Sequence, residues 1–339
     1  MLTPKVSDYC RLDEKEKLKL VVVVDTEEEF DWFGTRSREN TSVSALRHID
    51  RAQKIFDFYR VTPVYVIDYP VASQTEGFQP LKEIYQSGRC LIGAHLHPWV
   101  NPPFVEQSSL KNSFPGNLPR AVEGAKLKVL GDCIEANFGA RPTIYKAGRY
   151  GIGPNTAEIL EEQGYAIDLS VCPQMNYSTE GGPDFSNSSA RPYWFGTRRQ
   201  LLELPLTVGF AGFLRHWGST LHDVASRPYL TTVRAVGLLA RLRLIDRVWL
   251  SPEGYRFSEQ RRLVRSLFRD GLRVFSFAFH SPSLQSGHTP YVRSNEDLQK
   301  FLSCCRRFFD FFLGELGGQP TTPIELREYL LQAVRRETI

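Results

Sequence analysis

Residues 18–31 read LKLVVVVDTEEEFD. Four valines in a row, followed at once by acids, describe a strand buried on both faces that ends where water or a ligand begins. A one-sided strand would alternate apolar and polar residues, and this one does not. The run therefore predicts a parallel sheet covered by helices, with Asp25 at the carboxyl end of its first strand.

Working outward, the same alternation recurs. Residues 42–60 carry Val43, Leu46, Ile49, Ile55, Phe56 and Tyr59 at helical spacing,. A strand in TPVYVIDYP (62–70), a helix near 80–88 and a strand over 90–94 follow. Then come a helix over 118–138, a strand in TIYKAG, a helix over 154–163 and strands over 165–171 and 201–206. A helix over 256–270, a strand over 272–279 and a helix over 294–316 complete the rhythm. Alternating strands and helices predict parallel strands with helical crossovers, and closing them gives a barrel that works at the strand carboxyl ends. The expected organisation is an N-terminal extension over 1–17, one barrel domain over 18–325 and a C-terminal tail over 326–339. Two stretches break the pattern. Residues 173–200, rich in Gly, Ser, Asn and Pro, read as a loop inserted over the barrel mouth. Residues 227–250 read as a basic helical segment, either packed on the barrel or touching anionic lipid peripherally.

Composition narrows the function. The chain has 339 residues, 42% hydrophobic and 24% charged, with a net charge of +4. Its arginines are scattered, which argues against nucleic acid as a partner. No run of about 18 apolar residues appears, so no membrane-spanning helix is expected. Residues 1–19 do not read as a secretory signal, and six cysteines lack framework spacing. Together these predict a reducing, cytoplasmic compartment. Oligomeric state is not legible.

Four segments carry chemistry, and each falls at a strand end. They are VVVVDTEEEFDWF (21–33), IGAHLHPWVNPP (92–103), YKAGRYGIGPNT (145–156) and VFSFAFHSPS (274–283). His95 and His97, two apart, project to one side and can share a divalent cation. Asp25 and Glu27 are likewise two apart and can face the barrel axis, one supplying a third ligand and one a base. His280 ends its strand, where a histidine can pass a proton to a leaving amine. Glu28 and Asp31 read as surface or outer-layer residues. Trp99, Tyr150 and Trp194 are candidates either to stack on sugar faces or to pack at the mouth.

As an ordered set these segments resemble the polysaccharide deacetylases, including the chitooligosaccharide and peptidoglycan deacetylases of carbohydrate esterase family 4. The resemblance runs from about Val21 to His280. It implies an irregular, seven-stranded (β/α) barrel, with Asp25 as base, Glu27, His95 and His97 as metal ligands, and His280 as acid. Lys146 or Arg149 stands for a family arginine that pairs with the base. Asp168, in GYAIDLSVCP, and Glu203 with Pro205, in LLELPLT, match two further family segments. The sequence departs from the family in spacing its histidines by two instead of four and in having Thr26 for a second aspartate. The implied activity is removal of N-acetyl groups from an amino-sugar glycan or a lipid-linked precursor. The implied cofactor is a divalent ion, zinc by preference, and the Tyr150 backbone N–H is a candidate oxyanion donor. Two alternatives stay open: a glycan-binding scaffold on a degenerate barrel, and a hydrolase of a non-sugar amide.

Overall fold

The computed structural model describes residues 4–13, 15–34, 36–218, 221, 242 and 244–337. Its strands are β1 (Lys19–Thr26), β2 (Val64–Ile67), β3 (Leu91–Leu96), β4 (Ile144–Ala147), β5 (Ile167–Asp168), β6 (Tyr193–Phe195), β7 (Leu201–Glu203), β8 (Val208–Ala211), β9 (Asp246–Trp249), β10 (Val274–His280) and β11 (Gln319–Pro320). The main sheet runs β10-β1-β2-β3-β4-β5-β7-β6. The seven from β10 to β7 are parallel throughout, and β6 joins the edge antiparallel. This is the expected curled, seven-stranded parallel sheet of a deacetylase-like (β/α) barrel. The path between β7 and β10 is bridged by the β8–β9 hairpin. There Leu250 N–H donates to the Thr207 carbonyl, and Ala278 N–H donates to the Leu250 carbonyl.

Side-chain parity explains the continuous valine run. Leu20, Val22 and Val24 face the helical layer, where they join Tyr65, Ile67, Phe275, Phe277 and Phe279. Val21 and Val23 face the barrel interior with Val64, Val66, Ile144, Ile167, Leu202 and Val274. Helices α1 (Asp50–Tyr59), α2 (Tyr69–Ser73), α3 (Thr75–Gln86), α4 (Arg120–Phe138), α5 (Thr156–Glu162), α6 (Phe257–Arg269) and α7 (Asn295–Phe309) follow the strands in turn. On the outer face Phe277 stacks on Phe308 at 4.6 Å between ring centroids and meets Phe309 at 5.5 Å.

Parity also decides what reaches the mouth. Continuing each interior row to the strand tip gives Val21-Val23-Asp25, Leu91-Gly93-His95, Ile144-Lys146 and Ser276-Ala278-His280. Register then aligns the tips: Asp25 lies opposite His280 and His95 opposite Lys146.

Several expectations need correction. The stretch taken as a basic helical segment, 227–250, ends in a strand: β9 pairs antiparallel with β8, burying Val248 while Arg247 and Trp249 share the other face. Its period-2 burial outweighs the helical spacing read from the sequence. Residues 227–241 and 243 lie outside the described residues, and with them the expected lipid contact. The inserted loop 173–200 contains β6, whose Trp194 is buried among interior residues instead of facing the mouth. The C-terminal stretch taken as a tail from 326 belongs to a helix, α8 (Pro323–Glu337), whose Leu326 and Leu330 are buried in the interior cluster. Since β11 pairs with the start of β1, this helix reaches the interior from the end opposite the strand tips.

Removing the Phe277 ring should leave a cavity between two aromatic neighbours. We expect Phe277→Ala to lower unfolding free energy by about 3–5 kcal/mol in urea titration, within the range for large core truncations.

Candidate active site

The strand tips converge on a buried group of nitrogens and oxygens. The Nε2 atoms of His95 and His97 lie 3.0 Å apart, and Oε2 of Glu27 is 3.5 Å from each. The Nδ1 of His95 is 3.0 Å from the Lys146 carbonyl, which can only accept, so that nitrogen carries the proton,. The Nδ1 of His97 is 2.7 Å from Glu28 Oε2. With both Nδ1 atoms donating, two Nε2 lone pairs point at each other, a repulsive arrangement that a cation between them resolves. The second oxygen of Glu27 is buried without a hydrogen-bond partner. The donor set of two neutral imidazoles and one carboxylate therefore fits a divalent ion with an open position. Burial, the largest influence, lowers His97 to about 4 and so keeps it neutral, as a ligand must be,.

A second group, Glu28, Asp68 and His97, is equally compact. Its atoms are already spent on one another. Glu28 accepts from Trp99 Nε1 at 2.6 Å, and its own N–H donates to Asp68 at 2.6 Å. Burial, then the neighbouring Glu28 carboxyl, holds the Asp68 carboxyl well above its usual range,. Glu28 is wholly buried behind His97, which corrects its reading as a possible surface residue, whereas Asp31 is exposed. Thr26 turns its hydroxyl onto the Val24 carbonyl.

Asp25 is held apart from this group. Lys146 Nζ reaches both its oxygens, at 2.7 and 2.6 Å, with both residues buried. Burial raises the Asp25 carboxyl, but Lys146, then His280 and His95, outweigh it and bring it below the ordinary carboxylate value. His280 Nε2 stands 3.5 Å from Asp25 on the other side. Its Nδ1 bonds Glu253 at 2.8 Å, and Glu253 is anchored by the His280 backbone N–H and the Ser283 hydroxyl. Burial works to lower His280, but the charge of Glu253, followed by that of Glu27, overcomes it and raises the imidazole to about 10.

The tips floor a cleft of about 840 Å³ walled by Phe30, Trp32, Trp99, Tyr150, Tyr177 and Trp249, among others. Trp99 stacks on His97 at 4.3 Å and Tyr150 on Tyr177 at 5.5 Å. Of the two candidates to meet Asp25, Lys146 does so. Arg149 turns to Glu180 and the Ser113 hydroxyl, over the Phe114 ring. Asp168 is absent from the cleft wall. It lies inside the barrel, where burial raises it to about 6, and it accepts from the Ser170 hydroxyl.

Two contributors were missed in the sequence. Glu253, in SPEGY, sits in a loop 27 residues before His280, with no pattern that points to it. Gly148 lies so close to His97 that a Cβ there would meet its ring at 2.4 Å and the Leu96 carbonyl at 2.5 Å. The glycine is what lets the chain after β4 pass beneath the second imidazole.

No family profile and no curated protein matches the chain in sequence. Its likeness to known proteins is structural. A crystal structure assigned to the polysaccharide deacetylases, from Mycobacterium smegmatis, aligns over 98% of this chain and 96% of its own, with a TM-score of 0.55 and 14% identity. An allantoinase aligns over 91% of this chain and 89% of its own, with a TM-score of 0.50 and 14% identity. A 4-alpha-glucanotransferase from Thermococcus litoralis scores 0.50 over 91% of this chain and 40% of its own, at 12% identity. At such identities the likeness extends to the fold alone, and the chain has the deacetylase-like (β/α) barrel fold.

The His280–Glu253 pair yields a titration. A raised folded-state value means the imidazolium contributes stability fully below the unfolded value of about 6.5, and loses it as pH rises through about 10,. Nitrogen NMR of the imidazole should find it protonated at pH 8. In Glu253→Gln its titration should move at least one unit toward neutrality, and the stability gap from the parent should be largest below pH 6.5.

Proposed function

We propose that this protein is a metal-dependent hydrolase that removes N-acetyl groups from an amino sugar. The observation that carries the reading is the facing pair of His95 and His97 Nε2 atoms beside Glu27, with Asp25 and His280 flanking them on separate supports. Glu27, His95 and His97 hold the divalent ion, zinc being the choice their donor types favour. When bound, such an ion supplies Lewis-acid polarisation of the acetamide carbonyl and acidifies water toward neutrality.

The chain's own residues do the rest. Asp25, kept ionised by Lys146, takes the proton from the attacking water. Lys146 occupies both carboxylate oxygens, which keeps Asp25 a base instead of a fourth ligand. The Tyr150 backbone N–H is the candidate donor to the developing oxyanion. His280, charged through Glu253, delivers a proton to the departing amine, without which the amine would be a poor leaving group. Trp99 and Tyr150 line the cleft where sugar faces can pack.

The volume of the cleft and its aromatic walls favour a sugar over a small non-sugar amide, and the Lys146–Asp25 and His280–Glu253 pairs favour a reaction over a scaffold that has lost it. We place the barrel domain from residue 18 through the end of α8, and expect a cytoplasmic amino-sugar glycan or lipid-linked precursor as substrate. No helix among the described residues is long and apolar enough to cross a membrane.

Metal content by elemental analysis and acetate release from neutral and anionic acetylated amino sugars test this. His95→Ala and His97→Ala should lose the ion and all activity; retention of stoichiometric metal in both would sink the ligand assignment. Asp25→Asn should keep the metal and lower kcat by about 10²–10⁴-fold, the usual contribution of a positioned base. Glu28→Gln, which weakens the support behind His97, should reduce metal affinity by about 10–100-fold.

A further inference from the structure

The charges lining the cleft do not cancel. Three of its acids have a cationic counterpart: Asp25 has Lys146, Glu253 has His280 and Glu180 has Arg149; Glu27 faces the neutral imidazole pair, where the divalent ion would offset it. Two of the arginines on the same wall have none among the described residues. Arg247 gives one N–H, from Nη1, to the Gln174 carbonyl at 3.0 Å. Arg36 gives Nη1 to the Gly34 carbonyl at 3.0 Å, and its Nε is buried without a partner. A guanidinium has five N–H donors, so among the described residues most of the capacity of both is unused and no carboxylate pairs with either charge.

Their mounting is not that of surface arginines. Arg247 is on β9, two residues from Trp249, so both project from one face into the cleft,. Arg36 lies 5.2 Å over the Phe30 ring, and Phe30 in turn meets the edges of His97 and Trp99 at 6.2 Å. The positive field is shared: Arg36 bears on Arg149, while Arg149 and Arg247 both bear on the Tyr177 hydroxyl. Holding unpaired guanidinium groups on the wall of a half-enclosed cleft is unfavourable unless an anion enters it,. Guanidinium is the side chain best shaped for such an ion, because it meets phosphate or carboxylate oxygens through paired N–H groups.

We infer that the ligand of this cleft carries an anionic group, a phosphate ester or a carboxylate, drawn in by the unpaired guanidinium groups of Arg247 and Arg36 on its wall,. Resting on the deacetylase reading, this makes the substrate class an acidic or phosphorylated N-acetyl amino sugar. Non-charged oligomers are then poor substrates.

Calorimetric binding of N-acetylglucosamine 1-phosphate, of an N-acetylated amino uronic acid and of N-acetylglucosamine tests the anion site without reference to turnover. Both anions, or one of them, should bind the metal-loaded protein at least about tenfold tighter than the uncharged sugar, and the margin should shrink as salt is raised. The two anionic arms tell phosphate from carboxylate. Arg247→Gln and Arg36→Gln, checked for an unchanged melting temperature, should each cut the margin several-fold, and the double substitution should abolish it. Equal binding of charged and uncharged sugars, or a margin that survives the double substitution because the anion sits on the metal, overturns the inference. Acetate release is scored separately. Selective anion binding without acetate from any of the three would remove the deacetylase reading and leave the anion site standing.

Discussion

Lys146 reaches across the barrel mouth to both oxygens of Asp25, and neither side chain retains appreciable contact with water. A buried ion pair is a weak source of stability, because desolvation offsets most of the attraction. Its consequence here is chemical. The ammonium keeps Asp25 ionised inside an apolar barrel and occupies the lone pairs that would otherwise turn toward a metal. It also joins β1 to β4 across the sheet, setting the acid base at a fixed distance from the imidazoles of β3. A lysine does this with a point charge on a flexible stem, where a guanidinium would need a planar fork and more room. Arg149, three residues on, is thereby released to the outer wall.

Two histidine–carboxylate pairs of similar geometry then take opposite protonation states. His97 with Glu28, at 2.7 Å, is pulled down to about 4, and His280 with Glu253, at 2.8 Å, is raised to about 10. The partner distance does not decide between them. Burial is the leading influence on both and favours the neutral ring. Around His97 it prevails over the charges of Asp68 and Asp25, with His280 and Arg36 adding positive potential. Around His280 the charges of Glu253, Glu27 and Asp25 add up on one imidazole and reverse it. A neutral ligand and a charged proton donor therefore stand side by side in one pocket.

Much of the fold could be read from the chain because two signals agreed. The valine run of β1 and the Phe-rich alternation of β10 required a sheet covered on both sides, and the helical spacing between strands required parallel connections. The inward residues at the tips followed from parity alone: Asp25, His95, Lys146 and His280 each sit an even number of residues from an interior-facing apolar one. Where two signals conflicted the reading failed, as at 246–249, where helical spacing masked an alternating strand. Trp194 failed for another reason, since an aromatic in a loop-like segment carries no mark of which way it points.

What the sequence determined by itself was thus local and periodic: which segments are strands, which ends are chemical, and which residue types stand there. Only the tertiary structure decided which cation meets Asp25, which carboxylate stands behind each histidine, and which arginines lack a counter-charge among the described residues. Those outcomes depend on strand register and on loops from distant parts of the chain. Glu253 approaches His280 from 27 positions away, and Glu28 approaches His97 from 69. Proton positions and charge balance are set by distance and desolvation in three dimensions, and neither quantity is written in the order of residues along the chain.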